Sequence, residues 1–379
     1  MTYLDHNATT PPDERVLEAM LPYQGRFFGN PSSLYRLGRI SRGAIDAARE
    51  QVAALVGAQP SEVIFTASGT EANNLALKGL AYRLPAGVIA AGATEHPSVL
   101  APLEFLTKLG WEVRTIAVDG DGQIDNAGLN TLLAGAVRFA TVMLANNETG
   151  VIQDVSRLAL WLRERGAFLH CDAVQAAGKM PLEFKTCGAH LLSISAHKIY
   201  GPKGAGALIA DKSVPLEPLL HGGGQERDLR GGTENVAAIV GFGKAAELAH
   251  AEMDARHSQL LKLRQRLEAG LENLPQVTIF AKGAARLSNT LQFGIAGIDG
   301  ETLVMALDRQ GFAVSSGSAC ASGAGEPSPV LLAMGVSPTS AKSAIRVSLG
   351  KDNRDSDVDR FLASLTGVMA GFGLAVPAV

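Results

Sequence analysis

The sequence predicts an α/β fold, in which a large domain with a mainly parallel sheet is joined to a small α+β domain. A length of 379 residues is typical of two domains. Short apolar runs alternate with helical patterns through most of the chain, and a second group of strand-like segments and short helices follows Pro275. We place the large domain at residues 16–253 and the small domain at residues 1–15 and 254–379.

Apolar runs in the large domain predict buried strands. They are Val63–Thr66, Val88–Ala91, Phe139–Ala145, Phe168–Cys171 and Leu191–Ser195. Helical patterns such as Ser156–Arg165 separate them. Short, continuously apolar strands separated by helices indicate a mainly parallel sheet that is covered on both faces. Ligands of such sheets bind beyond the carboxyl ends of the strands.

The second group begins after a long predicted helix, Lys244–Asn273. Its strand-like segments are Val277–Phe280, Thr290–Phe293, Phe312–Val314 and Ala344–Ser348, and its helices are Gly300–Gln310 and Pro329–Met334. The stretch from Phe361 onward carries no charged side chain, as a membrane span would. The helical spacing of its apolar residues, with Ser356 as N-cap, instead predicts a helix packed on the protein, so we expect no membrane association.

Composition excludes several classes of protein. Hydrophobic residues make up 46% and charged residues 19%, which excludes a mainly disordered chain. The formal net charge of -3 provides no overall positive field for phosphates, so we expect no direct nucleic-acid partner. The 3 cysteines, Cys171, Cys187 and Cys320, cannot form a disulfide framework in a chain of this length. The N-terminus shows no signal-peptide pattern, so we expect a cytoplasmic protein.

Three polar motifs follow the predicted strands. Ser68-Gly69-Thr70-Glu71 offers backbone N–H groups and a hydroxyl to a phosphate, although alone it is better explained as a helix cap. Asp172 can cap a helix, bind a cation or pair with a protonated ring nitrogen. Lys198 directly follows a buried strand, and burial favours the neutral amine that forms Schiff bases. The alternative for Lys198 is a solvated loop lysine.

A phosphate cradle, an aspartate for a pyridinium nitrogen and a lysine for an aldehyde together predict pyridoxal 5′-phosphate (PLP) as cofactor. At these residues the sequence resembles the NifS/IscS-like cysteine desulfurases, which are class V, fold-type I PLP-dependent enzymes. The resemblance covers nearly the whole chain. It rests on Tyr3–Thr10, Phe28–Ser33, Ala93–Ser98, Asn146–Gly150, Arg230–Asn235, Ser315–Cys320 and Ile345–Gly350. It implies the fold of a fold-type I PLP-dependent transferase.

The resemblance implies catalytic roles for three residues of these motifs. Lys198 would bind the cofactor as a Schiff base and move protons. Asp172 would keep the pyridine nitrogen protonated, so that the ring can accept electrons. His96 would stack on the ring and move protons, whereas without the resemblance it is better explained as a structural histidine.

The resemblance also implies binding roles. Residues expected at the ring hydroxyl and the phosphate of PLP are Gln175, Asn147, Gly69, Thr70, Ser195 and His197. Thr233 would reach the phosphate of the neighbouring subunit, which implies a homodimer. Asn7 and Arg346 would bind the substrate carboxylate, and the alternative for Arg346 is a surface arginine on a strand.

Cys320 lies in a segment of small residues, Ser315–Pro329, which we expect to be mobile because it buries little apolar surface. A cysteine in such a loop can act as a nucleophile that moves with the loop, and an incidental exposed thiol is the alternative. The resemblance favours the nucleophile. Cys320 would then carry a persulfide, through which it could also serve as a transient iron–sulfur ligand.

The function implied by the resemblance is that of a homodimeric desulfurase, which converts L-cysteine to L-alanine and passes sulfur to a scaffold protein for iron–sulfur clusters. Selenocysteine lysis or amino transfer on the same fold is one alternative, and a non-catalytic assembly partner is another. The chain ends in the apolar segment Gly371–Val379, where housekeeping members carry a longer polar tail. A nitrogenase-dedicated role is therefore as plausible as a general one.

Overall fold

The computed structural model describes residues 1–125, 136–317 and 325–375. Its strands are β1 Thr2–Tyr3, β2 Val63–Thr66, β3 Val88–Gly92, β4 Glu112–Ile116, β5 Val137–Met143, β6 Phe168–Asp172, β7 Leu191–Ser195, β8 Gly206–Ala210, β9 Val277–Ile279, β10 Thr290–Ile295, β11 Phe312–Ala313, β12 Ser315–Ser316 and β13 Ala344–Ser348. Its α-helices are α1 Glu14–Gln24, α2 Arg36–Leu55, α3 Gly69–Arg83, α4 Pro97–Thr107, α5 Val155–Arg163, α6 Phe184–Cys187, α7 Val236–Ala251, α8 Met253–Glu272, α9 Gly300–Arg309, α10 Pro329–Ala333, α11 Pro338–Lys342 and α12 Asp355–Gly371.

The large sheet has the strand order β2-β8-β7-β6-β5-β3-β4. Strand β8 runs antiparallel to both of its neighbours, and the other pairs are parallel, which confirms the predicted mainly parallel sheet. In the register of the central strands, Met143 is paired with Asp172, and Asp172 with Ser193. This register brings the polar residues at the carboxyl ends of β5, β6 and β7 to one edge of the sheet.

Apolar side chains cover both faces of this sheet. On one face, residues of α2 and α7 such as Val52 and Phe242 pack with Val142 and Ile194. On the other face, residues of α3 and α4 such as Leu77 and Leu103 pack around Phe139. The central strands β3 and β7 are buried along their whole length. Burial on both faces explains why these strands appear in the sequence as continuous apolar runs.

The C-terminal part has its own antiparallel sheet, in the order β12-β13-β10-β9. Its apolar core includes Leu263, Phe293 and Phe361. The N-terminal segment joins this part, because β1 pairs with β11 and Asp5 forms a bridge with Ser348. The largest apolar clusters thus lie mainly within one or the other proposed domain, and a smaller cluster joins residues of both.

Two details of the helix predictions are wrong. The predicted helix Lys244–Asn273 is two helices, α7 and α8, which are interrupted at Glu252. The final helix begins at Asp355 with Arg354 as N-cap, so Ser356 lies inside the helix. Within the described ranges, no helix combines the length and the apolar character needed to cross a membrane.

Candidate active site

A cavity of about 310 Å³ opens at the carboxyl ends of the parallel strands. Every described residue that the sequence predicted to bind cofactor or substrate lines it, except Thr233. These residues are Asn7, Gly69, Thr70, His96, Asn147, Asp172, Gln175, Ser195, His197, Lys198 and Arg346. Thr233 is exposed elsewhere on the surface, and Cys320 lies outside the described residues.

One end of the cavity is formed by the N-terminus of α3 and the end of β7. Ser68 caps α3, since its Oγ accepts a hydrogen bond from Glu71 N at 3.1 Å. A Cβ atom on Gly69 would lie 2.9 Å from Val174 Cγ2, so a side chain there would crowd the cavity. Ser195 Oγ is buried and has no hydrogen-bond partner among the described residues. A helix N-terminus beside an unpartnered hydroxyl fits a phosphate group.

His197 lies beside this end, in the short turn Ala196–Lys198 that follows β7. Its Nδ1 lies 3.1 Å from Thr9 Oγ1. Burial, with Lys198, Lys203 and other lysines nearby, lowers the pKa of His197 to about 4. The ring is therefore neutral at pH 7 and acts as a hydrogen-bonding group rather than as a cation.

Asp172 is buried at the end of β6. Its Oδ1 accepts a hydrogen bond from Val174 N at 3.0 Å, and its Oδ2 accepts one from Asn73 Nδ2 at 2.7 Å. Asp172 thus stabilises the turn that follows β6 rather than capping a helix, and it also lines the cavity. Each carboxylate oxygen has a second lone pair, so the group can still accept a hydrogen bond from a protonated ring nitrogen.

His96 is the N-cap of α4 and also lines the cavity. Its Nδ1 accepts a hydrogen bond from Ser98 N at 3.1 Å and lies 2.7 Å from Ser98 Oγ. Burial lowers the pKa of His96, Asp172 opposes this effect, and Lys198 adds to it. The imidazole is therefore neutral near pH 7, with its proton on Nε2.

Lys198 meets the N-terminal segment of the chain at this edge of the sheet. Its Nζ donates hydrogen bonds to the carbonyl oxygens of Asn7 and Ala8, at 2.6 and 2.7 Å. Gln175 Nε2 donates to the same Asn7 oxygen at 2.9 Å. A further lysine, which the sequence analysis did not select, joins this group: Lys179 Nζ donates to Asn7 Oδ1 at 2.9 Å and to Gln175 Oε1 at 2.7 Å. Burial, with Lys198 and Arg346 nearby, holds the pKa of Lys179 well below its usual range.

Arg346 also lines the cavity and is only 2% exposed, so the surface interpretation is wrong. Its Nη2 donates to Asp5 Oδ1 at 2.6 Å, and its Nη1 donates to the Asn147 carbonyl at 3.1 Å. Its Nε is buried without a hydrogen-bond partner in the described part of the chain. A fixed guanidinium with an unused N–H group suits a carboxylate ligand.

The side-chain amide of Asn7, unlike the Arg346 guanidinium, is fully hydrogen-bonded. Its Nδ2 donates to the Asn147 carbonyl at 3.0 Å and to Thr290 Oγ1 at 2.8 Å. Its Oδ1 accepts from Asn289 Nδ2 at 3.0 Å as well as from Lys179. Both amide hydrogens are thus engaged, and a substrate carboxylate could bind Asn7 Nδ2 only by replacing one of these partners.

Glu95 is buried directly before His96 in the chain. Its Oε1 accepts a hydrogen bond from Met143 N at 2.6 Å, and its Oε2 has no partner among residues that the structure describes. Burial, with a smaller contribution from Asp172, raises the pKa of Glu95 to about 8. The sequence analysis gave no role to Glu95, Asn73 or Ser98: Glu95 and Ser98 lie in the motif Ala93–Ser98, but only His96 was selected from it, and Asn73 lies outside the motifs.

Comparison with known proteins agrees with this arrangement. A family model described as aminotransferase class-V matches residues 2–361. Cysteine desulfurase IscS of Methanosarcina thermophila is 43% identical over 362 residues, which are 95% of this chain and 90% of the relative. Cysteine desulfurase of Sinorhizobium fredii is 44% identical over 371 residues, 97% of this chain and 96% of the relative.

A solved structure described as a NifS-like protein superposes with a TM-score of 0.92 at 37% identity, covering 98% of this chain and 99% of its own. The chain belongs to the cysteine desulfurase family. Enzymes of this family depend on PLP, so PLP is the cofactor of this protein as well. This membership confirms the fold-type I interpretation of the sheet and the family resemblance seen in the sequence.

The residues of the cavity fit the cofactor of a cysteine desulfurase. The Ser195 hydroxyl, which has no partner in the described part of the chain, and the N-terminus of α3 suit its phosphate, and Asp172 suits its ring nitrogen. Lys198 lines the same cavity and suits its aldehyde. The described residues include no group of three or more His, Cys, Asp or Glu side chains that could hold a metal ion.

Proposed function

We propose that this protein converts L-cysteine to L-alanine and holds the released sulfur as a persulfide on Cys320. The Cβ–S bond of cysteine breaks and an S–S bond to Cys320 forms. The methyl group of alanine gains one hydrogen, so that L-cysteine and the Cys320 thiol become L-alanine and the persulfide without an external oxidant or reductant. The observation that carries this proposal is the single cavity that combines Lys198, Asp172, His96 and Arg346, in a chain whose relatives are cysteine desulfurases over nearly their whole length.

PLP supplies an electron sink and a covalent attachment point for the substrate amine. The residues of the chain bind and orient the substrate and the cofactor. Arg346 holds the substrate carboxylate through its unused N–H groups, and Asp172 holds a proton at the ring nitrogen. The Lys198 amine moves protons at the substrate carbon atoms, and His96, neutral at pH 7, exchanges a proton through Nε2. Gly69, Thr70, Ser195 and His197 hold the phosphate.

Cys320 is the nucleophile of the proposal, and two observations on the other cysteines support this choice. Cys171 is buried in the large sheet, and Cys187 is partly buried. Burial raises the pKa of both thiols, so neither forms a thiolate readily. The transient iron–sulfur ligand role of Cys320 through its persulfide is part of the same proposal.

We further propose a homodimer that delivers sulfur to a scaffold protein for iron–sulfur clusters in the reducing cytoplasm. Thr233 is exposed and lies outside the cavity of its own subunit, which suits a residue that completes the phosphate site of a neighbour. Free thiols persist in a reducing compartment.

The test is to incubate the purified protein with PLP and L-cysteine, measure alanine, and locate added sulfur by mass spectrometry. We expect alanine without a keto-acid acceptor and one added sulfur on the Cys320 peptide. Cys320→Ala should bind PLP but form little alanine, and Cys187→Ala is the matched control. Alanine that forms only with a keto acid would indicate amino transfer, and turnover restricted to selenocysteine would indicate a lyase. Borohydride reduction should fix PLP on Lys198, and a label on Lys203 would contradict that assignment.

A further inference from the structure

Asn73 lies between two residues of the proposed machinery and has no assigned role. It is on α3, one turn after Gly69, and is 1% exposed. Its Nδ2 donates hydrogen bonds to Asp172 Oδ2 at 2.7 Å and to Ser98 Oγ at 2.9 Å. Ser98 Oγ in turn lies 2.7 Å from His96 Nδ1. A continuous row of hydrogen bonds therefore joins Asp172 to His96 through Asn73 and Ser98.

The direction of each bond in this row follows from the chemistry of the groups. An ionised carboxylate can only accept, so Asn73 must present Nδ2 to Asp172. The second hydrogen of Nδ2 is donated to Ser98 Oγ, which leaves the Ser98 hydroxyl hydrogen available to His96. Since Ser98 N already donates to His96 Nδ1, this nitrogen is an acceptor and can receive the hydroxyl hydrogen too.

The orientation of Asn73 leaves one group unsatisfied. Its Oδ1 is buried and finds no hydrogen-bond partner within the described ranges. A buried amide oxygen without a partner destabilises a fold, and a leucine would fill similar space without that penalty. The presence of an asparagine at this position is therefore better explained by what Nδ2 does than by packing.

We propose that Asn73 and Ser98 are positioning residues that make Asp172 and His96 one hydrogen-bonded unit. This inference rests on the proposed function, in which Asp172 contacts the ring nitrogen of the cofactor and His96 stacks on the same ring. The bond from Asn73 holds the Asp172 carboxylate in one orientation, in which its free lone pairs can accept a hydrogen bond from a protonated ring nitrogen. The bonds from Ser98 keep His96 Nδ1 unprotonated and thus leave the histidine proton on Nε2.

The first test compares neighbouring asparagines on the same helix. Asn73→Ala removes both bonds, whereas Asn74→Ala removes only a bond from Asn74 Nδ2 to the Thr70 carbonyl at 3.0 Å near the surface. We expect kcat for alanine formation to fall about 10- to 100-fold in Asn73→Ala with little change in KM. The Asn74→Ala control should stay within about twofold of the wild type. Asn73→Leu fills the same space and replaces Asn73→Ala if the latter does not fold.

A double-variant cycle then tests whether the row acts as a unit. Ser98→Ala should lower kcat by itself, and the pair Asn73→Ala with Ser98→Ala should lose clearly less than the product of the two separate losses. Independent, multiplicative losses would mean that Asn73 serves Asp172 alone, and the coupled unit would be refuted.

A spectroscopic readout separates this inference from the activity itself. With ¹⁵N-labelled PLP bound, the ring nitrogen should be protonated in the wild type and in Asn74→Ala, and its resonance should move toward the unprotonated position in Asn73→Ala. Equal resonances in Asn73→Ala and Asn74→Ala, together with equal kcat values, would overturn the inference while the proposed function stands. A wild-type protein that forms no alanine would refute the proposed function, and the resonance comparison would still decide the role of Asn73.

Discussion

Arg346→Lys should weaken the binding of L-cysteine while PLP remains bound. The guanidinium is held by Asp5 and by the Asn147 carbonyl, and its Nε–H group has no hydrogen-bond partner among the described residues. A lysine ammonium keeps the charge, but it cannot hold two fixed partners and also present a planar pair of N–H groups to a carboxylate. The substitution therefore keeps the positive charge but removes the planar arrangement of N–H groups that binds a carboxylate.

The structure sets the size of the expected effect. A hydrogen bond that involves a charged group contributes about 1.5–3 kcal/mol. Loss of one such bond to the substrate carboxylate corresponds to a fall in kcat/KM of about 10- to 150-fold, since about 1.4 kcal/mol is tenfold. Most of this fall should be in KM, because the carboxylate is bound equally before and during the reaction. The Asp5 carboxylate stays 19% exposed and can keep one bond to lysine, so stability should fall by only about 1–2 kcal/mol.

The assay is alanine formation as a function of cysteine concentration, with bound PLP followed by its visible absorbance. Arg286→Lys is the matched control, because the Arg286 side chain is also nearly buried, at 4% exposed, and pairs with Glu268, and Arg286 does not line the cavity. The control should lower the free energy of unfolding and leave KM unchanged. An unchanged KM in Arg346→Lys, or the same rise in KM in both variants, would refute the carboxylate role of Arg346.

Three further substitutions test the cofactor end of the cavity. Asp172→Asn should keep the fold and lower kcat by about 100-fold or more, because an amide stabilises a protonated ring nitrogen poorly; near-normal turnover would leave Asp172 as a turn cap only. Ser195→Ala should weaken PLP binding about tenfold without destabilising the cofactor-free protein, since the hydroxyl it removes is unpartnered; equilibrium titration with PLP and denaturant unfolding measure both, and an unchanged PLP affinity would contradict it. Glu95 binds its proton more tightly in the folded state, so its own contribution to stability should fall by about 1.4 kcal/mol per pH unit as pH rises from the ordinary carboxyl range to about 8. The difference in the free energy of unfolding between the wild type and Glu95→Gln, measured by denaturant unfolding of the cofactor-free proteins, should change with pH by that slope, and a difference that is constant with pH would show that Glu95 is not the titrating group.

The sequence predicted strands that are buried on both faces and are therefore apolar along their whole length. Strand β7, with apolar surroundings on both faces, was predicted with its observed bounds, Leu191–Ser195. Strand β4 was missed because it is an edge strand with partly exposed, polar-containing sequence, Glu-Val-Arg-Thr-Ile. Strand β8 was missed as well, and its antiparallel direction depends on pairing that no local pattern encodes.

Helix boundaries that depend on tertiary contacts could not be predicted from the local sequence either. The break between α7 and α8 falls at Glu252, in a run of good helix formers. The Glu252 carboxylate accepts hydrogen bonds from Arg15 at 2.7 Å and from Arg256 at 2.6 Å, and Arg15 lies far away in the sequence. At the start of α12, Asp357 accepts a hydrogen bond from Arg354 N at 3.0 Å, which shifts the cap away from the predicted Ser356.

The residues of the site also fall into those that the sequence predicted and those that it did not. Residues within motifs, such as Asp172 and Lys198, were selected because strand ends converge at one edge of a parallel sheet. Asn73, Ser98 and Lys179 were not selected, because an asparagine or serine inside a helix and a lysine in a turn have many ordinary explanations. Their importance follows only from distances between elements, such as the 2.7 Å from Asn73 Nδ2 to Asp172 Oδ2.

Asn7 shows why such distances matter for the chemistry. It follows the segment that joins the small sheet, and its side chain contacts Thr290 and Asn289 of the C-terminal part as well as Lys179 of the large domain. Its carbonyl oxygen accepts from Lys198 and Gln175. A substrate carboxylate that displaced one partner of Asn7 would therefore disturb contacts to both cores and to the cofactor lysine together. Arg346, whose Nε needs no such exchange, is the better primary contact for that carboxylate, and Asn7 is better suited to holding the two parts of the chain and Lys198 in register.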